Sequence, residues 1–455
     1  MNQPRATVII LVWNGRDYLE ACLDAVLAQD YASFGVMVVD NGSTDGSPRL
    51  VADNFPEAEL LTNDRNLGFA AGNNVGLQVL AGMPCETSTD FAVLLNQDTV
   101  VHHGWLASLA RTFAGTRVGI AGCKLLYPDG TIQHAGGYLY GPRGETGHRG
   151  RHDKAEGTTT PVAGPPDGLT DIEFVTGAAL AISREALATI GPLDEGFWPA
   201  YYEDVDWCFR ARAAGYRVVY QPEAVVTHHE STATDALSRE RKQALNQGRL
   251  RFLLKHWTID RLVGDFAPAE LAWVRSMDRC EELMAARRAY LGGLLALPDI
   301  LAFRQGSTND ADTLVGLLTD LRAAAQSSLT SIGSPGAPTR GTRPEESRQP
   351  AGTLEMLSEN QTIQEQPFTS HVPVVGRLIV AFRDLWNSIA AKWYVRPMVQ
   401  QQSLFNAQLV NYLRTVEQRL QGQSMDIAEN IDELTTMAQY LAGVEENDRQ
   451  EDTDG

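Results

Sequence analysis

Residues 7–15, TVIILVWNG, and 36–46, VMVVDNGSTDG, decide the fold. Each is a short apolar run, rich in β-branched residues, that stops abruptly at asparagine, glycine or aspartate. Such a run suits a strand buried on both faces, the situation of a parallel sheet. Between the two runs Leu19, Cys22, Leu23, Val26 and Leu27 recur at helical spacing, so a helix joins the strands. Two strand–loop–helix units in succession predict an α/β doubly wound domain with its ligand site beyond the carboxyl ends of the strands. Residues 91–95 repeat the pattern and end in Asn96-Gln97-Asp98-Thr99.

The strand ends supply the first candidates. Asp40 is placed to accept hydrogen bonds from a base or a ribose, or simply to open an Asx-turn with Asn41-Gly42. No GxGxxG follows the first strand, so the dinucleotide fingerprint is missing. Residues 63–76 (NDRNLGFAAGNNVG) let backbone approach a ligand closely and present amides to polar groups. Asp98, leaving a parallel strand, suits a divalent metal that also grips a diphosphate, because Mg²⁺ takes one or two carboxylates and completes its shell with phosphate and water.

Residues 194–231 carry a second cluster. Glu203-Asp204 heads an amphipathic helix whose apolar positions Val205, Cys208, Phe209 and Ala213 predict one buried face. Acidic residues in a first turn also serve the helix dipole. A strand and the pair His228-His229 follow. The aromatics Phe197, Trp198, Tyr201 and Tyr202 either stack on a sugar or fill the core.

Composition limits the options. The chain has 455 residues, a formal charge of −19 and a pI near 4.9. That length allows two or three domains, and the acidity argues against nucleic acid as a partner. The five cysteines form no CxxC pair, so neither a disulfide framework nor a zinc site is expected, and a reducing compartment fits. Residues 8–12 are too short for a signal peptide, and no stretch approaches the ~20 apolar residues of a membrane span. A cytoplasmic protein, soluble or at the inner face of the membrane, is the expectation.

Together the motifs resemble a known family. Trp13-Asn14, residues 38–45 (VVDNGSTD), Asn66-Leu67-Gly68-Phe69-Ala70 with Gly72-Asn73-Asn74, and residues 94–98 (LLNQD) are similar to the inverting family 2 glycosyltransferases of GT-A fold. Residues 129–137 (DGTIQHAGG), 174–183 (FVTGAALAIS), Glu203-Asp204-Val205-Asp206-x-Cys208-x-Arg210 and Val226-Thr227-His228 with Ser231 resemble its rhamnosyltransferase-like branch, which builds cell-surface polysaccharides. The resemblance runs over about residues 5–257, with the motifs in family order.

The resemblance implies roles. Trp13 lies against the nucleotide base, where tyrosine is more usual. Asp40 bonds the base, and Asn14, Asn66 and Gly68 shape the nucleotide pocket. Asn96 stands at the first position of the DxD motif and Asp98 at its last, metal-holding position. His134 and Glu203 line the substrate site, and Asp204 is the catalytic base. His228, with His229 as rival, completes the site for Mg²⁺ or Mn²⁺. The implied activity is hexosyl transfer from a dTDP-, UDP- or GDP-sugar, rhamnose by preference, to a glycan or lipid-linked glycan. Two alternatives stay open. One is a non-catalytic scaffold of the same fold. The other, a nucleotidyltransferase, is disfavoured because residues 12–18 contain only Arg16 as a basic group.

The expected organisation is a GT-A domain over 1–258, a helical appendage over 259–330, and a Pro/Gly/Ser-rich flexible linker over 331–370. Residues 371–443 hold an amphipathic helix (376–395) and a coiled coil or helical hairpin, and 444–455 form an acidic tail. The basic flanks and tryptophans of 376–395 suit either a membrane interface or a protein partner. The helices beyond it suit oligomerisation.

Overall fold

Strands β1, Ala6–Val12, and β2, Phe34–Asp40, are joined by the helix Arg16–Leu27. The computed structural model describes residues 3–82, 89–114, 117–154, 169–229, 239–305 and 307–332. The remaining strands are β3 (Ala58–Thr62), β4 (Phe91–Asn96), β5 (Thr99–Val101), β6 (Val118–Leu126), β7 (Ile132–His134), β8 (Gly137–Tyr140), β9 (Glu145–His148), β10 (Thr170–Asp171), β11 (Ala179–Ser183) and β12 (Arg217–His228).

One mixed sheet runs β10-β12-β6-β11-β4-β1-β2-β3, with β5 added to β12 and β7 to β6. β3, β2, β1 and β4 are parallel. β11 runs against both β4 and β6. In register, Val12 faces Asp40 and Leu11 faces Asn96. The loops after β1, β2 and β4 therefore leave the sheet together. Their common edge is the carboxyl end of the strands, where the strand order reverses around β1.

The pleat explains the apolar runs. Val8, Ile10, Val12, Val36, Val38, Val93 and Leu95 pack on one face with Leu19, Cys22 and Leu23 of the first helix and Trp105 and Leu109 of the helix Trp105–Phe113. Their neighbours Ile9, Met37, Val39, Ala92 and Leu94 pack on the other with Leu77 and Leu80 of the helix Phe69–Gly82. Both faces are covered, so the strands read as continuous apolar runs, not as alternations. The helix Glu203–Ala213 departs in detail from its expected face. Trp207 and Ala211 are buried with Val205 and Cys208, whereas Ala213, in the last turn, is exposed.

The predicted helical extension is present. Helices Arg239–His256, Ala267–Ser276, Cys280–Leu295, Leu297–Arg304 and Thr308–Ile332 follow the sheet. They share one core with it, from Leu94 and Leu180 through Leu253 and Phe266 to Leu318 and Ala325. The basic helix turns several charges inward: Arg249, Arg251 and Lys255 are all buried. Lys255 Nζ lies 2.6 Å from both Asp194 Oδ2 and Asp206 Oδ1. Arg249 bonds Glu270 Oε1 at 2.6 Å, and Arg143 from the β8–β9 turn reaches Glu270 Oε2 at 2.7 Å. Among the described residues no helix is long and apolar enough to cross a membrane. Residues 331 and 332, read as the start of the linker, belong to the last helix. The rest of it, the amphipathic segment 376–395, the coiled coil and the acidic tail lie outside the described residues.

Candidate active site

β5 follows β4 after a two-residue turn and pairs antiparallel with the end of β12, Val226 opposite Val101 and His228 opposite Thr99. The next amide, of His229, donates to Asp98 O at 2.8 Å. This pairing joins two segments about 130 residues apart and sets His228 Nε2 3.2 Å from Asp98 Oδ1. On its other side His228 Nδ1 lies 2.8 Å from Gln133 Oε1. An amide oxygen only accepts, so Nδ1 donates to Gln133, and the hydrogen bond to Asp98 is made from Nε2 when the ring carries its second hydrogen. Burial alone would raise Asp98, but the hydrogen bond and charge of His228 hold it below the ordinary carboxylate range. His229 goes elsewhere, its ring packing on Tyr18 at 5.7 Å between centroids.

The Asp98–His228 pair fits a divalent ion. Neighbouring corners of an octahedral shell with bonds of roughly 2.1 Å are about 3 Å apart, close to the observed spacing. Among the described residues no third carboxylate, cysteine or histidine joins the pair as a ready-made cage. Such a sparse protein contribution suits an ion that takes its remaining ligands from phosphate and water. Gln133 has the position of an outer-shell residue that fixes the ring of a ligating histidine.

The loops after β1 and β2 hold one another. Asn14, with φ near 49°, accepts Thr44 N–H on Oδ1 at 2.8 Å and donates its amide to Ser43 Oγ at 2.9 Å. Gln97 grips the backbone of Trp13, accepting its N–H at 2.9 Å and donating to its carbonyl at 3.2 Å. The Trp13 ring is left 51% exposed at the edge of the sheet. Asp40 is buried; its Oδ2 accepts Ser43 N–H at 3.2 Å, and its Oδ1 is enclosed without a hydrogen-bond partner. Asn66 Oδ1 accepts from Asn41 Nδ2 at 2.9 Å and from Gly68 N at 2.8 Å. Gly68 has φ of +86°, and a Cβ there would stand 2.8 Å from Trp198 Cδ1. The site's adopted backbone thus needs glycine at that point.

On the far side, Asp204 opens the helix Glu203–Ala213 half-buried, and Gly177, in the turn before β11, donates its amide to Asp204 Oδ2 at 2.8 Å. A Cβ on Gly177 would meet the Phe69 ring at 2.9 Å, so the close approach depends on its absence. A cavity of about 80 Å³ lies beside His228, lined by Gln133, His134, His148, Arg151, Thr176 and His228. His228 touches Asp98, and Thr176 precedes the residue that holds Asp204.

The model of the glycosyltransferase-like family 2 matches residues 4–246, more than half of the chain and all of this site. The chain belongs to that family. It is 31% identical over 237 residues to the O-antigen biosynthesis protein RfbC of Myxococcus xanthus, a match covering 51% of this chain and 18% of that protein. It is 26% identical over 246 residues to the N-acetylglucosaminyl-diphospho-decaprenol L-rhamnosyltransferase of Mycobacterium tuberculosis, covering 50% of this chain and 76% of the relative. An uncharacterized protein, y4gI, of Sinorhizobium fredii is 28% identical over 260 residues, 56% of this chain and 28% of its own length. The chain thus spans less than a third of RfbC and of y4gI. Among solved structures it is similar to GalNAc-T7 with UDP, GalNAc and Mn²⁺, at a TM-score of 0.46 and 13% identity, covering 72% of this chain and 58% of that one.

Within this family 2 domain both members of the carboxylate pair Glu203-Asp204 are shifted upward. Burial raises Asp204 above the ordinary range, and the amides of Gly177 and Val205 offset only part of that. Glu203 is raised further, by burial and then by the Asp204 charge, and its Oε2 is enclosed without a partner. The aromatics divide: Phe197 and Tyr202 are core, whereas Trp198 is 63% exposed. Asn96 contributes through its backbone, its N–H donating to Ala178 O at 3.0 Å and its carbonyl accepting from Thr99 Oγ1 at 2.7 Å. Two residues escaped the sequence reading. Asn41, read only as a turn residue, is buried and bonds Asn63, Asn66, Leu67 and Gly68 at once. His148 has its Nδ1 2.7 Å from His134 Nδ1, across a hairpin that no local pattern announces.

Proposed function

We propose that this protein is an inverting glycosyltransferase that moves a sugar from a nucleotide-sugar donor to a glycan or lipid-linked glycan acceptor. The observation that carries the reading is the cavity with His228, the partner of Asp98, at one wall and Thr176 at another, the residue after Thr176 bonding Asp204. Asp40, through its unpartnered Oδ1, and the exposed ring of Trp13 take the base. Asn66, fixed by Asn41, shapes the loop that closes over the nucleotide, and Gly68 lets that loop pass under Trp198. Asp98 and His228 hold the divalent ion, and the imidazole nitrogen favours Mn²⁺ over Mg²⁺, an ion of oxygen ligands. When bound, the ion neutralises charge developing on the diphosphate.

Asp204 takes the proton of the attacking hydroxyl. Its raised pKa suits that task, since a general base works best when its pKa approaches the working pH. Glu203, kept protonated by burial, adds no second negative charge to repel it. Attack from the Asp204 side, opposite the diphosphate, inverts the anomeric carbon. A dTDP-rhamnose donor and a lipid-linked acceptor at the cytoplasmic face are the specific form of this proposal, supported by the similarity to the rhamnosyltransferase above.

The test is calorimetric titration of dTDP-rhamnose, UDP- and GDP-sugars in Mn²⁺, with sugar release measured in parallel. One donor should bind and be slowly hydrolysed by the native protein, and Asp98→Ala should lose both. Equal behaviour of native protein and variant would instead favour a scaffold.

A further inference from the structure

We propose that the cavity beside His228 receives the sugar ring of the donor, and that the His134–His148 pair reads one of that ring's hydroxyls. This rests on the glycosyltransferase reading above and adds to it the subsite that selects the transferred sugar.

Position is the first argument. The reacting carbon must lie between the leaving diphosphate and the base. The cavity has His228, the partner of Asp98, on one wall and Thr176 on another, and the residue after Thr176 bonds Asp204. A ring bonded to the diphosphate and facing Asp204 passes through this space. Its volume of about 80 Å³ is about five to eight times the 10–15 Å³ that one water needs, the scale of part of a monosaccharide.

The second argument is an unanswered polar atom. His134 is 1% exposed, and its Nε2 is enclosed without any hydrogen-bond partner. Leaving such a group unpaired is unfavourable, and a ligand that bonds it removes the cost. His134 Nδ1 and His148 Nδ1 are 2.7 Å apart, so one of them carries the shared hydrogen. If His134 donates, its Nε2 is an acceptor; if His148 donates, Nε2 is an N–H. A hydroxyl answers either arrangement because it both donates and accepts, whereas a phosphate oxygen answers only the second. Burial, then the charges of His148 and Arg151, keep His134 below its ordinary pKa and hence neutral. A neutral imidazole matches a neutral hydroxyl. The Phe174 ring lies 6.2 Å from that of His134 and 6.0 Å from that of His148, giving the pair an apolar side.

The fold builds the pair deliberately. β7 joins β6 with Leu125 opposite His134, and the β8–β9 hairpin sets Gly137 opposite His148. The crossed bonds Arg149 N to Gly136 O (2.9 Å) and Ala135 N to Arg149 O (3.2 Å) lock the two segments together.

The experiment compares, in Mn²⁺, the affinities of dTDP-rhamnose and of dTDP, with UDP- and GDP-sugar pairs run alongside. His134→Phe should weaken the nucleotide-sugar by about 10- to 100-fold while dTDP binds within about twofold of native. Thr176→Val and His148→Phe, which put less at risk in the core, should show the same split to a smaller degree. An equal loss for both ligands, or no loss for either, overturns the subsite. If the native protein binds none of the nucleotides, the glycosyltransferase reading itself has failed, an outcome that is distinct because no variant is needed to see it.

Discussion

Gly177 donates its amide hydrogen to Asp204 Oδ2 at 2.8 Å, tying the candidate base to the turn that enters the central strand β11. Glycine is required there because Phe69 fills the space a side chain would use. The carboxylate is therefore aimed by the sheet itself, and its helix start contributes the second bond, from Val205 N at 2.8 Å.

From this follows a prediction for Asp204→Asn. The amide keeps an oxygen for Gly177, so donor affinity should stay within about twofold while transfer falls by about 10²–10⁴. The base works deprotonated, so activity of the native protein should fall as pH drops through the folded pKa. Because burial raises that pKa, the acid limb of kcat/KM should lie above the ordinary aspartate value of about 3.9. An acid limb at or below that value, or parallel loss of donor binding in the variant, removes Asp204 from this role.

The two adjacent histidines should separate cleanly. His228→Ala should abolish Mn²⁺-enhanced nucleotide binding, whereas His229→Ala, which loses a ring contact with Tyr18 and the smallest of the influences on Asp98, should leave it within about twofold. Gln133→Leu removes the acceptor that orients His228 and should weaken Mn²⁺ by about 10- to 100-fold. Manganese titrations followed by electron paramagnetic resonance would report all three.

Much of this site is legible in the sequence because a strand buried on both faces ends where its apolar run ends. Asp40 and Asp98 are found that way, and the helix start finds Asp204. What local pattern does not carry is which ends meet. The contact of His228 with Asp98 depends on antiparallel pairing of β5 with β12, and the His134–His148 pair on a hairpin between them. Asn41 looked like a turn residue because its four hydrogen-bond partners lie more than 20 residues away. Nor does local pattern show that the charges of the helix Arg239–His256 turn inward, because the acids that pair with them, Asp194, Asp206 and Glu270, lie on other elements.

Glu203 should cost the fold stability at neutral pH. Its folded pKa is raised by burial, so the native state holds a proton that the unfolded chain releases. Stability then falls as pH rises from the ordinary glutamate value of about 4.3 toward the folded pKa. Glu203→Gln supplies a neutral side chain of the same shape. Its melting temperature should exceed that of the native protein at pH 8, and the gap should close near pH 4. A gap that is independent of pH would show that Glu203 is ionised in the fold.

Glu270 should behave in the opposite sense. It is fully enclosed, bonded by Arg249, Arg143 and Tyr290, and the Arg249 charge and hydrogen bonds draw its pKa down to about 2 against the effect of burial. A depressed folded pKa contributes stability above the unfolded value near 4.3 that disappears as pH falls toward 2. Removing the carboxylate strands Arg249, so Glu270→Ala should destabilise by about 3–5 kcal/mol. Pairing it with Arg249→Met should restore a large part, since an apolar replacement of a buried ion pair is often neutral. The same variants test whether the extension folds with the catalytic part. One core runs from Leu94 to Ala325, and Glu270 lies on the extension while Arg143 lies on the β8–β9 turn. Urea unfolding of Glu270→Ala, followed by tryptophan fluorescence and by far-ultraviolet dichroism, should therefore give coincident transitions, both shifted. Loss of the helical signal ahead of the fluorescence signal would show the extension to be an independent unit joined only at its surface.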